Sequence, residues 1–178
     1  AIAVGTSNFE WGGRIRQLMI IGGTTELLAV RNLGVDSGRF LTPGDVRRGE
    51  RVAVIGRTVQ REVFRGENPL GKAVRIGEYR MRVVGVLAPK GRSLGFDMDD
   101  VVIVPVVTAM RIFNQTSLFR VIAQANSPEA VGQVVSQVRP VLIERHDNEE
   151  DFTIITQNAM VTTFQSIMTT LTAALAGI

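Results

Sequence analysis

The clearest local signal in the chain is the stretch AVRIGEYRMRVVGVL, residues 73–87. Apolar side chains alternate with charged ones on both sides of the dipeptide Gly77-Glu78. A period of two residues is typical of a β-strand with one buried face, and glycine at the first of two turn positions favours a type II′ turn. The stretch therefore predicts a β-hairpin whose second strand is closed by Pro89.

Apolar runs and turn residues on either side of this hairpin predict the remaining elements. Strands are predicted at 14–21, 51–55, 101–104, 119–125 and 151–155, and a loop at 34–49. Helices are predicted at 24–32, 58–64, 105–113, from Ser127-Pro128-Glu129 with a kink or break at Pro140, and over the final residues to Ile178. The first half is mainly antiparallel β and the second alternates strands with helices, so the chain is predicted to be an α+β protein in two lobes.

Composition restricts the function classes. Hydrophobic residues make up 45% and charged residues 21% of the 178 residues, which is typical of a globular protein rather than a disordered one. The chain has no cysteine, which excludes disulfides and thiolate metal sites. The pI is about 10.1, but the net charge is only +3, so a small surplus of arginine raises the pI without a concentrated basic field. We therefore predict no nucleic-acid binding.

The last 27 residues decide between a soluble and a membrane-linked protein. No charged residue occurs between Phe152 and Ile178. One helical face is apolar and the other is rich in threonine, and the polar stripe is lost in the last eight residues. Such a helix either packs on the core of its own domain or leaves the domain toward a bilayer, although this apolar run is too short to span one. The apolar face consists of Met160, Phe164, Ile167, Met168, Leu171 and Leu175.

Four sequence segments in a fixed order carry a family resemblance. They are Val-Ala-Val-Ile-Gly (52–56), Asn-Pro-Leu-Gly-Lys (68–72), Val-Val-Gly-Val (83–86) and Asp-Met-Asp-Asp-Val-Val-Ile-Val-Pro (97–105). Their order and spacing are similar to those of the MacB-like periplasmic core domain of FtsX-like ABC transporter permeases. The similarity runs from about Ile20 to the C-terminus.

This resemblance implies a domain organisation. Residues 1–23 and 96–160 are expected to form a porter-like α/β subdomain, into which a mostly antiparallel β subdomain, residues 24–95, is inserted. Residues 157–178 are expected to form a helix leading toward a transmembrane segment. The family pattern also has a further strand and helix before the part that matches Ala1.

The resemblance also implies function, location and partners. The domain is expected on the extracytoplasmic side of the cell membrane, as a non-catalytic module without a cofactor that couples ATP-driven motion of transmembrane helices to export or to a partner protein. Expected partners are an ABC ATPase domain or subunit, a membrane-fusion protein or lipoprotein, the membrane through flanking helices, and a second copy in a homodimer. The coupling residues are predicted to be Phe164, Ile167, Met168 and Leu171.

A glycine- and aspartate-rich loop at 90–100 contains a possible contact point for a partner. Leu94, Phe96 and Met98 are apolar residues in this loop. If they are exposed, they form an apolar contact point, and the alternative is that they pack onto the core.

Two groups of residues are candidates for a metal site. Asp97, Asp99 and Asp100 form an acidic cluster, but no glycine lies between them as calcium loops require. We expect these carboxylates to accept backbone N–H bonds in a solvated loop. His146 is the single histidine, and a lone histidine cannot build a zinc site without carboxylate ligands. No metal or catalytic residue is therefore predicted.

Two other function classes stay open at this level. The first is a soluble module that binds a solute or peptide in the cleft between the lobes. The second is an enzyme whose pocket is not visible in the sequence and would require convergent polar residues with perturbed pKa values.

Overall fold

The computed structural model describes residues 1–93, 96–156, 165, 167–169 and 171–172. The chain divides into two compact units, Ala1–Ala123 and Gln124–Ile178. The first unit contains all of the strands described below.

The chain opens with a long hairpin of two strands, β1 (Ala3–Trp11) and β2 (Arg14–Gly23). Gly12 and Gly13 form its turn with φ angles of +56° and +74°. Two consecutive residues with positive φ define a type I′ turn, which glycine adopts without steric cost. Strand β2 confirms the predicted strand at 14–21, whereas β1 was not predicted, although Gly-Gly between two strand-like runs is a hairpin signal.

Short helices and strands follow in the rest of the first unit. In chain order they are α1 (Leu27–Val30), β3 (Val35–Gly38), α2 (Pro43–Arg48), β4 (Val52–Ile55), α3 (Arg57–Val59), which continues as a π-helical segment (Gln60–Phe64), β5 (Ala73–Ile76), β6 (Tyr79–Leu87), β7 (Arg92–Ser93), β8 (Phe96–Asp97), β9 (Val101–Pro105) and α4 (Val106–Ile112). The second unit contains α5 (Val131–Arg145) and ends in the described helical positions between 165 and 172. Helices and strands in this mixture confirm the α+β class.

Seven strands form one sheet in the order β3-β6-β4-β9-β2-β1-β5. Strand β6 also pairs with β5, so the pairings β6-β4-β9-β2-β1-β5 run in a closed ring. Closure removes most of the exposed edges at which a sheet can pair with another chain. Most pairs are antiparallel, and β2–β9 and β4–β6 are parallel.

Two clusters of buried apolar side chains pack against this sheet. In the first, Phe64 from the π-helical segment meets Phe9 edge-on at 6.4 Å between ring centroids and stacks on Trp11 at 4.4 Å. Offset and edge-to-face aromatic pairs of this kind add about 1 kcal/mol each to the free energy of area burial. The helix after β4 is therefore held against the opening hairpin.

The predicted hairpin at 73–87 is confirmed. Ile76 pairs with Tyr79 across the turn, and the positive φ in the turn, +57°, belongs to Gly77. Val74, Ile76 and Met81 are buried, whereas the arginines between them are exposed. The alternation in the sequence therefore does correspond to an inner and an outer face.

The predicted loop at 34–49 contains two elements instead, β3 and α2. Thr42 caps α2: its hydroxyl oxygen accepts a hydrogen bond from the Asp45 N–H, and the Asp45 carboxylate accepts one from the Thr42 N–H in return. Pro43 occupies the start of the helix, and Gly49 ends it with a φ of +61°. This capping box is a local signal that outweighs the glycine and proline content on which the loop prediction rested.

Two predicted strands are absent from the described structure. At 119–125 the backbone makes only one isolated bridge, between Arg120 and Ile2, and Phe119 and Val121 are exposed. Residues 151–155 are described without strand structure. An alternating pattern forms a strand only where a neighbouring strand completes its hydrogen bonds, and apart from the bridge at Arg120 neither segment is paired in the described ladders.

Helix α5 differs in detail from its prediction. It begins at Val131 rather than at Ser127, because residues 126–130 form a turn in which Ser127 accepts from the Ala130 N–H. The helix continues through Pro140 as one element to Arg145. None of its residues is buried within the described part of the chain.

The compact units differ from the predicted subdomains. Strands of the expected insertion, 24–95, pair with strands outside it: β4 pairs with β9, and β5 pairs with β1. These shared ladders hold residues 1–123 together as one unit, so boundaries at 24 and 95 would cut through one sheet. Whether the chain as a whole has a porter-like lobe with an insertion stays a prediction.

Candidate functional site

The loop predicted to contact a partner begins as a short hairpin. Strands β7 and β8 pair Arg92 with Asp97 and Ser93 with Phe96. Leu94 lies outside the described residues, as does the side chain of Phe96. For these two residues the contact role stays a prediction.

Met98 lies in the core rather than on the surface. Its side chain is only 8% exposed and belongs to the second buried cluster, with Leu87 and Val101 among its members. Of the two alternatives open for Met98, exposure as a contact point or packing onto the core, the structure shows core packing. Met98 lies in the turn between β8 and β9, where its side chain packs against the core.

The acidic cluster at 97–100 is satisfied by groups of the protein. The Asp99 carboxylate accepts hydrogen bonds from the Lys90 N–H at 2.8 Å and from the Gly91 N–H at 2.9 Å. Asp97 accepts a bond from the Asp99 N–H at 3.0 Å. Carboxylates that accept backbone bonds stabilise a loop. Within the described part of the chain, no group of three or more acidic or histidine side chains is arranged to hold a metal ion.

Asp100 takes part in the central ion pair of the first unit. Its carboxylate accepts two hydrogen bonds from the Arg16 guanidinium, at 2.5 and 2.9 Å. Arg16 also lies 3.1 Å from a carboxylate oxygen of Glu62 in the π-helical segment. A bidentate arginine–carboxylate pair fixes orientation as well as distance, so it ties the start of β2 to the residue that precedes β9.

An arginine-lined depression of about 560 Å³ opens beside this ion pair. One wall is the start of β2, and the other is the π-helical segment with the residue that follows it. Arg14 donates to the Val63 carbonyl at 2.7 Å and lies 5.8 Å from the centre of the Trp11 ring. The lining residues are Arg14, Ile15, Arg16, Arg61, Glu62, Val63 and Arg65. We call this depression the arginine groove. No local sequence pattern indicates it, because its two walls are 45 residues apart in the chain.

In the second unit, His146 is paired with a carboxylate. Its Nδ1 lies 2.5 Å from an Asp151 carboxylate oxygen, and its ring meets the Phe152 ring edge-on at 5.5 Å. Arg139 forms an ion pair with Glu150 in the same region. These contacts connect the end of α5 to the residues that follow it.

The predicted coupling residues are partly described. Positions 165, 167–169 and 171–172 are helical, and the hydroxyls of Thr169 and Thr172 each donate to the carbonyl four residues earlier, as in a regular helix. Ile167, Met168 and Leu171 are about half exposed. Phe164 lies outside the described residues. No described helix is both long enough and apolar enough to cross a membrane.

Comparison with known proteins decides the family. A family model described as the MacB-like periplasmic core domain matches residues 1–141. The chain belongs to this family. It is thus an extracytoplasmic domain of an ABC transporter permease, as the resemblance had implied.

Relatives of this MacB-like domain agree in sequence and in fold. The macrolide export ATP-binding/permease protein MacB of Chlorobium luteolum is 32% identical over 154 residues, which are 84% of this chain and 23% of that protein. The extracellular domain of the noncanonic ABC-type transporter YknZ from Gram-positive bacteria has a TM-score of 0.75 at 22% identity, covering 88% of this chain and 79% of that one. The periplasmic region of MacB from Actinobacillus actinomycetemcomitans has a TM-score of 0.74 at 21% identity, covering 92% and 73%. The two structures share the fold, and the MacB-like domain spans about a quarter of the length of the relatives it matches in sequence.

Proposed function

We propose that this MacB-like domain is a non-catalytic coupling module, which transmits ATP-driven motion of transmembrane helices to export or to a partner protein. Family membership supports the setting, an extracytoplasmic domain of a permease. The observation that carries the coupling role is the exposed apolar face formed by Ile167, Met168 and Leu171. This face lies in a stretch, 152–178, that contains no charged residue.

A helix can transmit displacement only if it is stiff. Between residues 157 and 176 the chain has neither glycine nor proline, the residues that most often interrupt or bend a helix. A flexible linker would absorb the movement instead of passing it on. The composition of this stretch therefore supports a continuous connection from the domain toward the membrane.

The partners follow from the same proposal. An ABC ATPase domain or subunit supplies the motion, and relatives in this family are named as ATP-binding/permease proteins, with both activities in one chain. On the extracytoplasmic side the domain acts on a membrane-fusion protein or a lipoprotein, and two copies form a homodimer in the whole transporter. Leu94 and Phe96 remain the proposed contact residues for such a partner.

The coupling role can be tested in the full-length transporter with the double variant Ile167→Asp and Leu171→Asp. Charges on the apolar face disrupt its packing in the assembled transporter. We expect transport in reconstituted vesicles to fall at least about fivefold, the lower end of usual coupling strengths, while ATP binding stays unchanged. The matched control, Gln165→Asp with Thr169→Asp, adds the same charge to the polar face of the same helix and should keep transport.

Unchanged transport in the apolar-face variant would contradict the coupling role. Equal loss in both variants would also contradict it, because helix stability rather than the apolar face would then be the cause. If this face proves to be buried within an isolated soluble domain, a module that binds a solute or peptide becomes the better proposal.

A further inference from the structure

The closed ring of strands has a local gap beside the first residues of β2, where β9 does not reach far enough to pair with them. Their parallel ladder begins at Met19 opposite Val101 and ends at Gly23 opposite Pro105. Strand β2 itself begins five residues earlier, at Arg14. On the side of β9, residues 14–18 therefore extend beyond the neighbouring strand and form a short open edge.

The register of the opening hairpin shows which backbone groups face this edge. Across a two-residue turn the flanking residues, Trp11 and Arg14, form a hydrogen-bonded pair, and bonded pairs then recur at every second residue. The N–H and C=O groups of Arg14 and Arg16 consequently point toward β1. Those of Ile15 and Gln17 point the opposite way, toward the open edge. An unpaired stretch of this kind can accept an added strand.

The arginine groove lies along the same edge and has a marked positive charge. Four of its seven lining residues are arginines, and one, Glu62, is acidic. Arg16 is engaged by Glu62 and Asp100, and Arg61 lies 3.5 Å from Glu62. Arg61 and Arg65 are exposed to solvent on the opposite wall. Ile15 is 63% exposed and is an apolar surface within this charged setting.

We propose that the arginine groove binds an extended acidic segment of a partner protein, which adds as a strand to β2 at Ile15–Gln17. The backbone groups at the edge supply hydrogen bonds, and the arginines supply charge complementarity to Glu or Asp side chains on the added strand. A basic segment is disfavoured by repulsion from the same arginines. This inference concerns a binding surface of the first unit and does not depend on the coupling role of residues 165–172.

The test uses the 178-residue chain and a fluorescent peptide of about eight residues, a usual strand length, in which Glu alternates with Thr. We expect saturable binding by fluorescence anisotropy. A peptide with Lys in place of Glu should bind at least about tenfold more weakly. Two N-methylated versions of the acidic peptide, one for each alternate set of amides, keep the charge but remove half of the N–H donors. One of these two versions should lose binding about tenfold or more and the other should not.

Protein variants locate the site. Arg61→Glu with Arg65→Glu reverses two charges on the exposed wall of the groove and should weaken binding at least about tenfold. Arg47→Glu with Arg48→Glu makes the same charge change on α2, away from the groove, and should change binding by less than about twofold. Circular dichroism and the melting temperature of each variant establish that both are folded.

Four results would overturn the proposal. They are no binding of the acidic peptide, equal binding of both N-methylated versions and the unmodified peptide, equal weakening by the two charge-reversal pairs, and a groove-dependent response to inorganic phosphate or anionic phospholipid vesicles in place of the peptide. The second and fourth would indicate a site that recognises anionic groups without strand addition. Because the peptide controls act on the unaltered protein, they decide the question even if a variant does not fold.

Discussion

The buried carboxylate of Asp45 accepts several hydrogen bonds at once. Its side chain is almost fully buried, and its carboxylate accepts hydrogen bonds from Arg39 at 2.6 Å and from the Thr42 N–H and hydroxyl, each at 2.8 Å. Burial by itself would raise the pKa of Asp45, but the hydrogen bonds from Arg39 and Thr42, together with the Arg39 charge, outweigh it and lower the pKa from its ordinary 3.8 to about 2. The folded protein therefore stabilises the ionised form.

This depressed pKa makes a prediction about stability. Because the folded-state value lies below the ordinary one, the contribution is fully present above pH 3.8 and is lost as the pH falls toward 2. Asp45→Asn should lower the free energy of unfolding by about 2 kcal/mol at neutral pH, and the difference from wild type should shrink in acid. Urea denaturation at a series of pH values measures both effects.

Asp36→Asn is the matched control for Asp45→Asn. The Asp36 carboxylate makes an exposed ion pair with Arg57 at 2.7 Å, so its removal should cost less than about 1 kcal/mol. If the two variants were equally stable, or if the loss in Asp45→Asn were the same at every pH, the role assigned to Asp45 would be incorrect.

At the level of elements, the segment that follows β3 packs over β6. This packing depends on one glycine, Gly85. A Cβ atom at Gly85 would lie 2.1 Å from the Arg39 carbonyl oxygen. Arg39 donates its own N–H to the Val84 carbonyl at 2.9 Å, which holds the two backbones together. The obstacle is therefore backbone rather than a flexible side chain, and it cannot move without breaking the pairing of β3 with β6.

Gly85→Ala should destabilise the first unit by about 2 kcal/mol or more, because strand separation or a backbone shift is needed to make room. Thermal unfolding followed by circular dichroism measures the loss. Gly132→Ala is the control: the glycine lies in α5 with nothing within 4 Å of the added Cβ, so alanine should raise the stability of that helix by about 0.5–1 kcal/mol. A neutral effect of Gly85→Ala would show that β3 is not held closely on β6.

The whole molecule is organised by pairings between distant parts of the chain. Strand β9 brings the residues after position 100 against both β2 and β4, and α4 then packs next to β2. Both buried clusters lie entirely within the first unit. Among the residues that the structure describes, the buried clusters of the sheet are therefore confined to the part of the chain before Gln124.

A fragment of residues 1–123 should consequently fold alone, with a cooperative thermal transition within about 5 °C of the corresponding transition of the whole chain. A fragment of residues 24–95 should not fold, because it lacks β1, β2 and β9 and leaves the ladders of β4 and β5 incomplete. Dispersion of amide resonances in NMR spectra distinguishes the two results. A folded 24–95 fragment would support the predicted insertion as an independent subdomain.

Several features were determined by the sequence alone. The hairpin at 73–87, strand β2, strand β9, the α+β class and the family all follow from signals within a few residues or from the order of short segments. Such signals are reliable because alternation, turn glycines and helix caps act through atoms that are neighbours along the chain. The capping box at Thr42 and Asp45 was of the same local kind and could have been recognised.

Tertiary structure alone decided the rest. Whether 119–125 forms a strand depends on a partner strand, whether Met98 is exposed depends on what covers it, and the arginine groove depends on the distance between β2 and the π-helical segment. Each of these features joins residues far apart in sequence, so it exists only after closure of long loops and packing of the core. Alternation of side chains shows that a strand has two faces, but only the folded ring shows which of its edges remains open.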